Sequence, residues 1–292
     1  MNKAIFILEY MAEQPLLLRT EGIYDVSTRL IEGKEVPSII SRKMIRPLRD
    51  TLRNEVRKTG DKSIDYCKFP TEEMCCWCLD CLIFGGTRTA LPRVQLRSLV
   101  HPSDALAVVV DEKSAVEAET HVAVKEGRIA EIGEAFYSPF QVPQGTRFIG
   151  TLMIDFDKTK VDQQKLINLL VTMFLRTRRY GGRTAQEGLV KPKVLAIIEA
   201  PYECVTSYDL YKIVKPKKEG GNENWKEIVE EYIKKNLKKS VPDASLLEFQ
   251  IIMSEEMLKK TINELTEEFR RELEGEGINE AAMKKWLEKM GQ

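Results

Sequence analysis

Apolar positions follow two rhythms along this chain. Short, nearly unbroken runs occur in "KAIFILEY" (3 to 10), "TRFIGTLMIDFD" (146 to 157) and "KVLAIIEA" (193 to 200), and they predict buried strands. Two further strands are predicted over 105 to 110 and 116 to 124. "PLLLRTEG" follows the first strand and ends in a turn at Glu21-Gly22. Elsewhere the spacing is helical. Leu48, Leu52 and Val56 recur every four residues and predict a helix over 46 to 58, with Pro47 in its first turn. Leu166, Leu169, Leu170, Met173 and Phe174 predict a second helix through "DQQKLINLLVTMFLRT", which Asp162 can cap. Between the strands, "KEGRIAEIGEAFYSPFQVPQG" is rich in glycine and proline and predicts a protruding hairpin. "KPKKEGGNEN" (215 to 224) reads as a linker. Helices follow near 225 to 239, 254 to 274 and 279 to 290, with Ser254 and Asn279 as caps. Leu258, Ile262, Leu265, Phe269 and Leu273 mark one face of the middle one. There are no internal repeats.

This order of elements predicts an α+β fold built on a modified RNA-recognition, or ferredoxin-like, core. Residues 1–40 and 96–215 form that core, with a hairpin insertion at about 120–145. Residues 41–95 supply a basic helix and a cysteine-rich insertion, and 216–292 a helical C-terminal region. No run of about 18 apolar residues exists, so no membrane span is expected. The first residues, "MNKAIFILEYMAEQP", carry two glutamates and lack a small-residue cleavage site, which favours a strand over a signal peptide and a cytoplasmic protein.

Charge changes the picture locally. The 292 residues hold 45 basic and 45 acidic side chains, which argues against an all-round basic nucleic-acid binder. The high charged fraction is compatible with a thermophile. Yet residues 42 to 58 contain seven basic and two acidic residues, and 176 to 193 contain six and one. Arg49, Arg53 and Arg57 form a ladder beside the apolar face of the first helix. It reads either as a solvated flank or as a phosphate-facing ridge. In "RTRRYGGRTAQEG", Arg176, Arg178, Arg179 and Arg183 can fork onto phosphate oxygens. Gly181 and Gly182 free the backbone, and Tyr180 can stack on a base. The alternative is a turn whose arginines face a helix C-terminus.

"CKFPTEEMCCWCLDC" holds five of the six cysteines. Cys75, Cys78 and Cys81 form C-x2-C-x2-C, with Cys67 eight residues earlier. Thiols this dense in a cytosolic chain suit structural zinc better than disulfides, an iron–sulfur cluster or buried reduced cysteines. Cys76 could replace Cys75, and His101 could replace Cys67. Cys204 stands apart and reads as core.

Catalytic signals are few. His101 and His121 sit in no catalytic spacing, and no nucleotide-binding or hydrolase motif is present. Asp155 and Asp157 alternate on one strand and could hold a metal for phosphodiester cleavage, or sit on a solvated strand end.

Together these segments resemble the repeat-associated mystery protein superfamily, and within it the large backbone subunit of type I-D CRISPR surveillance complexes. The likeness rests on "LRTRRYGGRTAQEGLV", "LLLRTEG" (16 to 22), "SRKMIRPLRDTL" (41 to 52), "CCWCLDCLIFG" (75 to 85) and "YSPFQVPQGTRFIGTLMID" (137 to 155). It covers roughly residues 1 to 215. The resemblance implies a non-enzymatic scaffold that binds CRISPR RNA largely without regard to sequence. Further copies and other subunits would assemble along that RNA, presenting it to target nucleic acid. By position, Arg19, Arg42, Lys43 and the loop residues Arg176 to Arg183 would face the RNA, and the ridge reading of the first helix adds Arg49 and Arg53. His121, Lys125 and Arg128 sit where the family's thumb begins. Related subunits cleave RNA with a loop aspartate, and Asp25 lies in a comparable region. A metal-dependent endoribonuclease and a zinc-stabilised adaptor are the competing expectations. Cys76 and the C-terminal helices depart from the family pattern, as does the lack of an aromatic stacking signature.

Overall fold

The computed structural model describes residues 2–18, 26–65, 67, 74–89, 93–108, 117, 118, 124, 125, 128, 129, 140–180, 188–215, 224–250, 252–275, 277, 278, 281, 283 and 285. In chain order the N-terminal elements are β1 (Lys3–Ala12), β2 (Thr28–Ile31), β3 (Lys34–Ile39), α1 (Ser41–Thr59), α2 (Leu79–Phe84), β4 (Gly86–Arg88) and β5 (Val94–Leu96). Then come β6 (Val100–Pro102), β7 (Ala105–Val108), β8 (Glu117–Ala118), β9 (Val124–Lys125), β10 (Arg128–Ile129), β11 (Phe140–Gln141) and β12 (Arg147–Asp155). The rest are α3 (Gln163–Arg176), β13 (Val190–Ala200), α4 (Ser207–Val214), α5 (Trp225–Tyr232), α6 (Lys238–Ser240), β14 (Ser245–Leu246) and α7 (Glu255–Gly275). A π-turn over Ile233–Leu237 joins α5 to α6.

The main sheet is antiparallel, in the order β14-β13-β1-β12-β7-β3-β2, with β6 also pairing to β12. Its centre, β1, is buried on both faces, as its nearly unbroken apolar run requires. Alternation sends Phe6, Leu8 and Tyr10 towards the layer of α1 and α3, where Tyr10 meets Phe174 edge-on at 5.2 Å. On the opposite face Glu9 accepts from Arg147 at 2.7 Å, and that guanidinium lies 3.7 Å from the centre of the Trp225 ring in α5. Helices α4 and α5 pack on that second face.

One helix starts for a tertiary reason. Helix α1 begins at Ser41, five residues before its predicted start, because the Asp104 carboxylate accepts the Ser41 N–H at 2.6 Å. Pro47 therefore sits inside the helix. The β2–β3 hairpin was not anticipated; Glu32 and Gly33 turn it with φ of 52° and 80°. Helix α3 starts as its sequence predicts, Asp162 accepting from the Lys165 N–H at 3.0 Å. Ser254 likewise accepts from Met257 at the start of α7. The predicted apolar face of α7 is buried, and the helix packs across α1, α2 and α3. Asn279 and parts of the predicted strands 105 to 110 and 116 to 124 lie outside the described residues. Among the described residues no helix is long and apolar enough to cross a membrane.

The far end of the sheet is closed by an ionic cluster. Lys3 bonds both Asp155 and Asp157, and Lys158 reaches Asp155 at 2.9 Å. Burial pushes the Asp155 carboxyl up, but the two lysines outweigh it and hold it down at about 2. A depressed carboxyl stabilises the fold above its unfolded value of 3.8 and loses that contribution as pH falls through about 2. Asp155→Asn is therefore expected to destabilise at neutral pH, with the difference from wild type constant above about pH 5 and shrinking towards pH 2. Urea melts across that range check it; a difference independent of pH would remove the assignment.

Candidate metal centre and nucleic-acid interface

Four cysteines converge where the 41–95 region folds back on α1. Cys67 follows a 3-10 turn at Lys62–Ile64, Cys75 and Cys78 lie in the approach to α2, and Cys81 sits in its first turn. All four are buried, and their sulfurs lie within 4.8 Å of one another. Sγ of Cys81 is 3.4 Å from Cys67, 3.8 Å from Cys75 and 3.6 Å from Cys78. A tetrahedron with metal–sulfur bonds near 2.3 Å has sulfur–sulfur edges of about 3.8 Å, so the cluster fits such an ion with small adjustments. Sulfur separations this long exclude disulfides. A closed four-sulfur shell leaves no open position, so an ion here would brace the fold.

The open choice between neighbouring cysteines is resolved by backbone geometry. Cys76 has φ of 52°, which turns its side chain away from the cluster, and its sulfur lies 3.9 Å from the Val94 carbonyl. Cys75 is thus the residue that completes the set. His101 is not part of it; its Nε2 lies 3.0 Å from Lys158 Nζ. Burial, then the Lys158 charge, hold His101 below its usual pKa. Burial pushes the Cys75 and Cys78 thiols up, hydrogen bonding with Cys67 pushes Cys81 up, and the three neighbours together pull Cys67 down.

The arginine ladder of α1 requires a correction. Arg49 and Arg53 are buried, and neither lines a solvated flank nor faces phosphate. Arg49 grips Asp80 with two bonds, Nε at 2.9 Å and Nη2 at 2.8 Å, and Arg53 adds a third at 3.1 Å. Arg53 also donates to the Cys67 carbonyl. Burial works against the Arg53 cation, but its bonds at Cys67 and the Asp80 charge raise its pKa. Asp80, next to Cys81 on α2, thus ties the cysteine loop to α1. From the other side Arg270 of α7 donates from Nη2 to both oxygens of Asp61 at 3.0 Å and from Nε to the Trp77 carbonyl at 3.3 Å. Only Arg57 of the ladder is exposed, near Asn54 and Asp65.

The second candidate region is the sheet end where β1 finishes. There β12 and β13 begin, beside the C-terminus of β7. Residues 178–180 return as a stem against 188–190, through Tyr180 N to Gly188 O at 2.9 Å and Val190 N to Arg178 O at 2.7 Å. Gly188 has φ of 82°, and a Cβ there would lie 2.2 Å from the Tyr180 carbonyl oxygen. Tyr180 is not available to stack on a base. It is 1% exposed, packs edge-on against Tyr10 at 5.2 Å, and burial pushes its phenol up. Arg178 is divided: its Nε holds the Val190 carbonyl at 2.8 Å and its Nη2 pairs with Glu13. Arg176 is half-buried between Glu55 at 3.4 Å and Glu255 at 2.9 Å. Arg179 and Arg42 are exposed and Lys43 is half-buried. Strands β9 and β10 pair as a short hairpin with Lys125 opposite Arg128. Arg19, Asp25, His121, Gly181, Gly182 and Arg183 lie outside the described residues. The Asp155–Asp157 pair is occupied by the Lys3 ammonium where a catalytic cation would have to sit.

Removing Asp80 takes away the carboxylate that both buried guanidiniums bond. Asp80→Ala is expected to cost about 3–5 kcal/mol in a denaturant melt, most of it recovered when Arg49 and Arg53 are also made Met. A loss under about 1 kcal/mol would count against this node.

Comparison with known proteins accords with this architecture. No curated protein matches the chain. The fold is similar to that of Thermofilum pendens Csc2, with a TM-score of 0.61 at 20% identity, covering 99% of this chain and 90% of that one. It is also similar to a chain of a CRISPR RNA-guided surveillance complex, with a TM-score of 0.54 at 16% identity over 88% of this chain and 98% of that one. A chain of a further such complex, pre-nicking, gives 0.54 at 12% identity over 89% and 99%. The Csc2 Crispr family matches residues 2–281, and the chain belongs to that family.

Proposed function

We propose that the chain is a guide-RNA-binding backbone subunit of a type I-D surveillance complex, holding CRISPR RNA and presenting it to target nucleic acid without cleaving it. The observation that carries the reading is the stem of the glycine-rich loop, which pins the arginine-rich segment to the end of β1. The described residues that flank 181–187 meet in this stem, beside Val108 at the C-terminus of β7. The order β13-β1-β12-β7, with α1 and α3 as crossovers on one face, supports a modified RNA-recognition core. Helices α4 and α5 cover the face on which such folds stack bases, which favours loops over the sheet as the RNA surface. The similar chains from RNA-guided complexes support assembly with further copies and other subunits. The lysine-filled Asp155–Asp157 pair weighs against an endoribonuclease.

Because Arg178 braces the stem, the cleaner test is Arg179→Ala with Arg183→Ala. Binding to a single-stranded RNA of roughly 30 nucleotides is expected to weaken, and the slope of log affinity against log salt to fall by about 1.4, at about 0.7 per phosphate contact. An unchanged slope with an unchanged melting temperature would sink the loop assignment. Absence of RNA binding by the wild type would instead favour the adaptor reading.

The metal, on this reading, is structural zinc held by Cys67, Cys75, Cys78 and Cys81. Purified protein is expected to carry about one zinc. Cys81→Ser should lose it and melt at lower temperature, while Cys76→Ser should keep it. Elemental analysis of the two variants decides; zinc lost from both would return Cys76 to the ligand set.

A further inference from the structure

The stem of the loop feeds directly into β13, and the first half of that strand presents an arrangement that the loop does not use. Among the described residues the outer edge of β13 is bonded at Val190 by the stem, and no strand pairs with it from there to Ile197, where Leu247 donates to the carbonyl; β14 pairs only with Ile198 and Glu199. Lys191 and Lys193 are both exposed on this open stretch, while Val190, Pro192 and Val194 are buried. Register puts Arg147, Met11 and Lys191 in one row across three strands, and Ile149, Glu9 and Lys193 in the next. All six belong to the face covered by α5, whose first residue, Trp225, packs on Arg147. The positive end of the α5 dipole therefore lies over the same row. The acidic member, Glu9, is buried and bonded to Arg147, so it does not cancel the exposed lysines.

We infer that Lys191 and Lys193 form a phosphate track that carries single-stranded RNA away from the arginine-rich loop along the α5 side of β13. Alternate residues on a strand stand about 6.7 Å apart on one face. That spacing matches successive phosphates of an extended single strand and not the tighter phosphates of a helical one. A protein strand is a poor occupant of this edge. Pro192 removes a donor, and flanking lysines are a common guard against strand addition. The inference rests on the RNA-binding reading above and adds a direction to it: the strand runs over the α5 side and not over α1, whose Arg49 and Arg53 are buried.

The test compares three full-length double variants on the same single-stranded RNA across salt: Lys191→Ala with Lys193→Ala, Arg179→Ala with Arg183→Ala, and Lys234→Ala with Lys235→Ala. The last pair is exposed on the π-turn and removes the same charge elsewhere. The Lys191/Lys193 variant is expected to lower the salt slope by about 1.4, and the Lys234/Lys235 variant to leave it unchanged. Equal effects from the two lysine variants would reduce the track to overall charge and overturn it. A loss confined to the arginine variant would overturn the track and leave the RNA-binding reading standing. No loss in any variant would overturn both. Melting temperatures verify that each variant is folded.

Discussion

A single carboxylate holds the two halves of this molecule's architecture together. Asp80 lies on the short helix that carries Cys81, yet its partners, Arg49 and Arg53, belong to the long helix packed on the sheet. Three charge-assisted bonds to one buried acid fix the angle at which the cysteine loop meets the core. The same helix α1 reaches the base of the arginine-rich loop, where Thr51 and Thr177 share a hydrogen bond of 2.9 Å. A load on the cysteine cluster and a load on the loop are therefore borne by one rod. Arg270 clamps the opposite side of the cysteine loop to α7, so the C-terminal helix belongs to this support.

The sheet divides its labour by end. At one end, where β1 finishes and β12 and β13 begin, lie the exposed Arg178, Arg179, Lys191 and Lys193. At the other, Lys3, Asp155, Asp157 and Lys158 neutralise one another. A chain with no net charge can in this way offer cations at one place without a cationic surface overall. Glu13 tempers the positive end by holding Arg178, and Glu55 and Glu255 by holding Arg176, so fewer of the loop's arginines are available than the sequence suggests.

What could be read in the sequence was what short-range chemistry decides. Strands β1, β12 and β13 follow from apolar runs, α3 from its Asp162 cap, α7 from its apolar stripe, and the cysteine set from spacing. The misreadings share a cause: they concern residues whose partners are far away in the chain. Arg49 and Arg53 have the spacing of a surface ridge, and only the fold brings Asp80 beneath them. Tyr180 sits among arginines and glycines like a base-stacking residue, and only the fold reveals Tyr10 beside it. The start of α1 is set by Asp104, 63 positions downstream of Ser41. Cys75 and Cys76 are indistinguishable by spacing; a backbone dihedral separates them.

The tight stem at Tyr180 and Gly188 has a further bearing on how such a loop changes over time. The aromatic ring is sunk in the core and the glycine admits no side chain, so both ends of the segment are locked by packing. Change at these two positions is felt in the core: a smaller side chain at 180 would take from Tyr10 an edge-on neighbour, and any side chain at 188 would meet the Tyr180 carbonyl. The collar is therefore the part of the segment least free to drift.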